Sequence, residues 1–489
     1  MVRASCFAIL GMLASAFSPL GLAQAEDAKD EHPKAASCLE CIRIRVGLPR
    51  IVRAPPDSPV DNPFSLIKLP NGRFRGFIAV GTSYAVDGAS PWDMGGPAIP
   101  VLKAGGPGSM ARCGQWLQHV ERAGDRLVGF VHVETACDYA HGQTHKSTGF
   151  ATSADEGLSW RVEGLILTGK DEPTTGRNTG EGDCSVINGG DGFYYAYCGR
   201  ARDGLPYVAR APVTNPHPGN WKKYFNGAWS EPGLGGEVSG VGAVGVASFW
   251  TTAGETVKAT FVPGGMGLAF SPDRVHFTNF PQPLLKLDKG PWDRRGHPAE
   301  LVAYMSLIDA ATGQNYLGDR WLLAYMYLQP DEGFDKRYLV FRPIEVSRSR
   351  QADEPPVAVA LGRWRNAALH DRWSTTAPVP GNYGAYALER EIGYLLTAAE
   401  ASEPSVELQD CVSEWPGHPD HLLEEQGACD SGHYRRLRTA GWVYAKPRSG
   451  TTPLYRCFDA REHAHFASNE ADCEKLGTME RLLGYALRR

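Results

Sequence analysis

The chain has 489 residues, long enough for two to four domains. Hydrophobic residues make up 42% and charged residues 21%, which excludes wholesale disorder; 50 Lys+Arg against 55 Asp+Glu give a net charge of −5, which offers no basic surface to nucleic acid. The 56 Gly and 35 Pro exceed ordinary usage and predict many turns between short strands.

Val2–Arg3, an apolar run from Cys6 to Leu22 and the small-residue site Ala23-Gln24-Ala25 read as a signal peptide over residues 1–25. No later run reaches the length of about 18 apolar residues that a spanning helix needs, so no transmembrane segment is predicted and a secreted or periplasmic location is expected. Ten Cys remain once Cys6 is removed, an even number, as an oxidising compartment favours. Their spacing suggests local pairs: Cys38–Cys41, Cys113–Cys137, Cys184–Cys198, Cys411–Cys429 and Cys457–Cys473. Cys38-x-x-Cys41 lacks a βαβ context and reads as a structural clip.

Residues 26–45 are charged and Ala-rich and are expected to form a leader. From 46 to 348, runs such as Arg73–Val80, Leu127–Glu134, Gly192–Tyr197, Trp321–Leu328 and Tyr338–Val346 alternate with Gly, Asp, Asn and Pro turns. They cluster in five groups, at about 60–120, 125–166, 182–226, 240–280 and 299–347. Repeating a small sheet round an axis removes exposed strand edges, so the predicted fold is all-β, a five-bladed β-propeller; a large β-sandwich is the alternative. A polar, Pro-ended stretch predicts a linker at 349–358. Residues 359–489 hold three weakly similar units of about 45 residues, which suggests a threefold, β-trefoil-like module and carbohydrate binding.

Ser153-Ala154-Asp155-Glu156-Gly157-Leu158-Ser159-Trp160 matches the Asp box, S-x-D-x-G-x-x-W. Ser153 and Asp155 would tie a tight turn, Gly157 would permit a positive φ, and Trp160 would pack beneath; this role is structural. Ser271-Pro272-Asp273 starts a degraded second copy.

The catalytic candidates are acids at strand starts, where a propeller would bring them to one axial pocket. Hydrolysis of a glycosidic bond needs such convergence, one carboxyl to protonate the leaving oxygen and another to act as base or nucleophile. Asp61 opens the first group in Asp61-Asn62-Pro63, and Asp183 opens the third in Gly182-Asp183-Cys184. Glu231, among apolar and glycine neighbours in Trp229-Ser230-Glu231-Pro232-Gly233, is expected to be desolvated and to carry a raised pKa, as a general acid requires. In Phe130-Val131-His132-Val133-Glu134, strand alternation puts His132 and Glu134 on one face, in a substrate-binding or pKa-tuning role. His297 and Glu300, opening the fifth group, are expected to act similarly. No G-x-S-x-G, H-E-x-x-H or Walker pattern occurs. No cofactor is expected, although a structural Ca²⁺ on the axis is compatible with the pattern.

These motifs make residues 46–348 resemble the five-bladed propeller glycosidases, the arabinanase and β-xylosidase group and the levanase and invertase group. The resemblance implies that Asp61 is the base or nucleophile, that Asp183 holds or tunes the transition state, and that Glu231 is the acid. The phrase Thr148-Gly149-Phe150-Ala151-Thr152-Ser153 also recurs there. The chain departs from the pattern in two places: the invertase N-D-P-N-G box is absent, and Asp183 is followed by Cys184 where Pro is usual. Leu454-Tyr455-Arg456 and His465-Phe466-Ala467-Ser468-Asn469-Glu470 resemble a secreted bacterial repeat that accompanies exported hydrolases. The expected protein is a monomeric secreted glycoside hydrolase whose partner is a carbohydrate substrate or a glycan surface. The alternatives are a non-catalytic carbohydrate- or cell-surface-binding propeller and a sialidase-type enzyme, for which Arg50 in Pro49-Arg50-Ile51-Val52 is a weak early Arg motif.

Overall fold

A computed structural model describes residues 38–106, 108–290, 292, 299–349, 354–379, 385–413, 415, 417–429 and 433–489. The expected signal peptide, most of the expected leader and His297 lie outside the described residues. Among the described residues, regular structure is strand, apart from three-residue 3-10 turns at Leu39–Cys41, Tyr139–His141 and Cys473–Lys475. No helix among the described residues is long and apolar enough to cross a membrane. All five cysteine pairs form disulfides in the expected local pairing.

The strands fall into successive antiparallel groups. The first is Ser65–Lys68, Phe74–Val80, Thr82–Gly88 and Ile99–Leu102. The second is Gly114–Ala123, Arg126–Asp138, Gln143–Ser153 and Arg161–Thr168. The third is Asn178–Asn188, Phe193–Arg200, Leu205–Pro212 and Lys222–Phe225, with Ala228–Pro232 at its outer edge. Gly245–Trp250, Glu255–Val262, Gly265–Ser271 and Thr278–Asn279 make the fourth. Leu301–Asp309, Arg320–Leu328 and Tyr338–Arg348 make the fifth, which Ile42–Val46 extends. Ser65, Val120, Val186, Ala247 and Leu307, one from the first strand of each group, line a single narrow central space. Between groups the packing is aromatic: Phe77, Phe130 and Trp221 are buried, and a side chain of this kind stabilises by about 1.5–3 kcal/mol when removed from water.

Several boundaries differ from expectation, among them two that matter for the sheets and that of the expected linker, whose last residues, Val357 and Ala358, already open a strand. Gly114–Ala123 starts the second group instead of ending the first. Ile42–Arg45, expected as the end of the leader, belong to a strand, Ile42–Val46: Ile42, Ile44 and Val46 are buried, and its two edges pair with Tyr338–Arg348 (antiparallel) and Val357–Asn366 (parallel).

The turn Ser153–Trp160 owes its shape to local hydrogen bonds. Ser153 Oγ donates to Asp155 Oδ1 at 2.8 Å and accepts from the Gly157 N–H at 2.9 Å; Asp155 also accepts from the Ser159 N–H and hydroxyl. Gly157 has φ +83°, and a Cβ there would stand 2.6 Å from the Phe77 ring, so only glycine fits. Trp160 packs edge-on against Phe77. In the equivalent turn of the fourth group, Ser271 Oγ donates to Asp273 Oδ1 at 3.0 Å.

After residue 356 come three strand triplets, each a long strand, a short strand and a long strand. They are Val357–Asn366, Asp371–Thr375 and Ala387–Leu396; Ser405–Ser413, His421–Glu425 and Tyr434–Tyr444; and Thr451–Asp459, Ala464–Ser468 and Thr478–Leu487. The triplets are tied in a ring: His421 Nδ1 meets Asp371 Oδ2 at 2.7 Å, His465 Nδ1 meets Asp420 Oδ2 at 2.7 Å, and Arg372 donates to Asp459 Oδ2 at 3.0 Å.

The triplets join the fifth sheet through buried charge. The Arg438 guanidinium lies 2.9 Å from Asp410 and 3.2 Å from Glu300, and Asp410 also accepts from Trp373 Nε1 and Thr375 Oγ1. Arg438→Leu strands two acids in a dry seam and is expected to lower the unfolding free energy by about 3–5 kcal/mol in urea titration. A loss below about 1 kcal/mol would mean that Glu300 and Asp410 do not depend on this cation.

Candidate active site

A cavity of about 410 Å³ opens at one end of the central space. Asp61, Gln118, His132, Glu134, Lys146 and Asp183 supply its polar wall, while Trp116, Phe261, Trp292 and Tyr304 are aromatic surfaces around it.

Three of these side chains reach the cavity because their strands break register. Gln118 lies in the irregularity between Leu117 and His119, Asp183 in that between Gly182 and Ser185, and Tyr304 in that between Ala303 and Ser306. Each is on the first strand of its group. A bulge re-aims a side chain that regular alternation would direct elsewhere. Asp183 has φ +52° and Tyr304 φ +54°, a left-handed conformation uncommon for residues other than glycine. Such strain persists only where the surroundings enforce it.

The surroundings of Asp183 are specific. Its backbone N–H donates to His132 Nδ1 at 3.2 Å, and its carboxylate accepts from Lys146 Nζ at 2.5 Å. Gly182 makes this approach possible, since a Cβ there would lie 2.8 Å from His132 Nδ1. An Nδ1 that accepts leaves the proton of a neutral ring on Nε2. That Nε2 faces Glu134 Oε1 at 3.5 Å, and the Tyr139 hydroxyl donates to Glu134 Oε2. Burial alone would push the Asp183 carboxyl up, but Lys146, His132 and Gln118 reverse this and hold it well below the ordinary aspartate value. Asp183 in turn raises Lys146.

Asp61 is held differently. Asn62 is buried and donates to the carbonyls of Pro63 and Leu117, which fixes the Asp-Asn-Pro turn. Arg337 Nη1 lies 2.6 Å from Asp61 Oδ1, and the Tyr304 hydroxyl donates to the same oxygen at 3.0 Å. Burial nevertheless pushes this carboxyl above the ordinary aspartate value, against the pull of Arg337 and Tyr304, and the charge of Asp183 adds to the rise.

The structure thus brings Asp61, His132, Glu134 and Asp183 to one cavity. It does not bring Glu231 or Glu300 there. Glu231 sits on Ala228–Pro232, the outermost strand of the third group, at the far edge from the strand that carries Asp183. It lies in register across from Lys223, whose ammonium is taken by Glu181, and it accepts from the Glu237 N–H at 2.9 Å. Glu300 is buried in the seam against Arg438 and Tyr327, where it completes a structural ion network. Arg50 is exposed and does not line the cavity. Lys146, Tyr139, Tyr304 and Arg337 were not legible as site residues. Strand register in the structure sets Lys146 directly opposite Glu134. Among the described residues, no group of three or more His, Cys, Asp or Glu is arranged to hold a metal ion.

No protein-family model and no curated protein matches the chain. Among solved structures, the chain is similar to a family 117 glycoside hydrolase from the marine bacterium Zobellia galactanivorans, with a TM-score of 0.42 and 10% identity over 65% of this chain and 94% of that one. It is also similar to an endo-arabinase from Bacteroides thetaiotaomicron, with a TM-score of 0.39 and 13% identity over 61% of this chain and 99% of that one. A protein of unknown function from Dyadobacter fermentans aligns at 0.35 and 14% identity, over 58% of this chain and 75% of that one. Likeness this distant assigns neither a family nor an activity to the chain.

Proposed function

We propose that this protein is a secreted glycoside hydrolase, acting on an oligo- or polysaccharide by carboxylate acid–base catalysis in the axial cavity of a five-bladed β-propeller. The strand triplets form a threefold, β-trefoil-like module behind it, and Ser153–Trp160 acts as an Asp box that braces the second blade. Five disulfides fit an oxidising compartment.

The observation that carries the reading is the pairing of Asp61 with Asp183. Two carboxyls share one cavity, and their surroundings push them to opposite sides of the ordinary range. That separation is the mark of divided roles in proton transfer. In this reading Asp61, raised toward working pH, is the base that activates water or the nucleophile. Asp183, ionised throughout, balances the positive charge that grows on the sugar ring. Glu134 replaces Glu231 as the proton donor, because it is the third carboxyl lining the cavity among the described residues. His132 and Tyr139 orient it. The aromatic wall suits the apolar face of a sugar.

The distance of Glu231 from the cavity favours a second reading, a glycan-binding propeller without catalysis. Sugar release from a panel of plant, fungal and microbial polysaccharides separates the two. Asp61→Asn and Glu134→Gln are each expected to lose about 10² or more of the rate, and Glu231→Gln to stay near wild type. Retention of a polysaccharide without release by any variant would establish the binding reading instead.

The pH profile gives an independent check. A base must be deprotonated to act, so kcat/KM should fall on acidification with a midpoint above the ordinary aspartate value of about 3.9. Arg337 opposes the rise of Asp61, so Arg337→Met should move that limb to higher pH. A limb that stays in place or moves down would exclude Asp61 as the titrating base.

A further inference from the structure

A second, larger cleft of about 850 Å³ lies where the fifth sheet meets the first strand triplet. It shares no lining residue with the axial cavity. Both halves of the molecule supply aromatic surface to it: Trp92 comes from the first group's last hairpin, and Trp364 and Tyr394 from Val357–Asn366 and Ala387–Leu396. Leu388, paired in register with Trp364, lines the same cleft at 46% exposure.

Two polar atoms of the cleft residues are buried without a hydrogen bond among the described residues: Trp364 Nε1, and Glu391 Oε1, whose carboxylate instead pairs with Arg489 at 3.7 Å and bonds the Tyr394 hydroxyl. The charges around them are mixed. Arg45 lies over the Tyr394 ring and beside Glu354, and Glu345 faces the cleft with Glu391, so no single sign of ligand charge is selected.

We propose that this cleft binds a neutral oligosaccharide. A sugar ring offers a flat C–H face to tryptophan and tyrosine rings, and hydroxyls around its rim that both accept and donate. An apolar ligand would desolvate Arg45, Glu345 and Glu391 without compensation, and an ionic one would meet a charge of its own sign beside the opposite one. The site needs both halves, since Trp92 and Trp364 belong to different sheets. It does not rest on the hydrolase reading, because no residue of the axial cavity takes part.

The test is calorimetric titration of the full chain carrying Asp61→Asn, which removes turnover, with short linear neutral oligosaccharides of the xylose, arabinose, glucose and galactose series. At least one series is expected to saturate. Trp364→Ala and Trp92→Ala should each weaken that binding by about tenfold or more, as truncation of a buried aromatic anchor does. Trp116→Ala, in the axial cavity, is expected to remove any separate binding event there and to leave unchanged the cleft event, the one lost with Trp364→Ala and Trp92→Ala. Circular dichroism checks that each variant is folded; if Trp364→Ala is not, Trp92→Ala and Glu391→Gln decide. No saturation by any series, an isotherm that the folded cleft variants leave unchanged, or loss of the cleft event with Trp116→Ala would overturn the proposal. Sugar release by the wild type is read separately, so failure of hydrolysis and failure of this site are distinct results.

Discussion

The five residues Ile42–Val46 satisfy a constraint on which the arrangement of the sheets depends. A sheet edge is a row of unpaired N–H and C=O groups, and a fold with many small sheets has many edges to cover. This strand covers two at once, pairing with Tyr338–Arg348 on one side and Val357–Asn366 on the other. The chain's start is thereby fastened to residues some three hundred positions later, and the strand triplets are fastened to the same sheet. With those edges closed, the first strands of the groups are held around one space, and side chains from different groups can converge there.

Convergence brings a cost, because acids from separate strands meet in a partly dry place. The molecule meets it by pairing each acid with a cation or a donor from another element: Asp183 with Lys146, Asp61 with Arg337, Glu134 with Tyr139. The first two pairings are long-range in sequence, while Glu134 and Tyr139 are five residues apart. The strain at Asp183 and Tyr304 belongs to the same arrangement, since the bulges that aim these residues inward are what let the partners reach one another.

That also explains what the sequence disclosed. Strands announced themselves by alternation and turn residues, and the disulfides by short local spacing. Asp61 and Asp183 stood out because each follows a turn and opens an apolar strand; His132 and Glu134 stood out because period-two geometry is local. Ile42–Val46 shows the same alternation, Ile-Arg-Ile-Arg-Val, but it is brief and its partners are distant, so all but Val46 read as leader. Glu231 misled for a related reason. Its neighbours are apolar and glycine, yet the number of strands between it and the axis, and Lys223 across from it, depend on how the third sheet is laid out. Lys146, Tyr304 and Arg337 carry no local mark at all.

Buried acids occur both in the scaffold and in the cavity, and accessibility distinguishes them. Asp410 is fully buried and accepts from Arg438, Trp373 and Thr375; Glu181, 4% exposed, is locked to Lys223 at 2.6 Å. Such acids are closed off from any substrate, and removing a partner would leave a charge in a dry interior. In the cavity, Asp61 keeps 24% and Asp183 48% of the side chain accessible, although each holds a cation. An acid that is pinned on one side and open on the other has a fixed orientation and remaining capacity to accept or bind. This combination, more than burial or charge alone, separates the carboxyls available for chemistry from those that hold the sheets together.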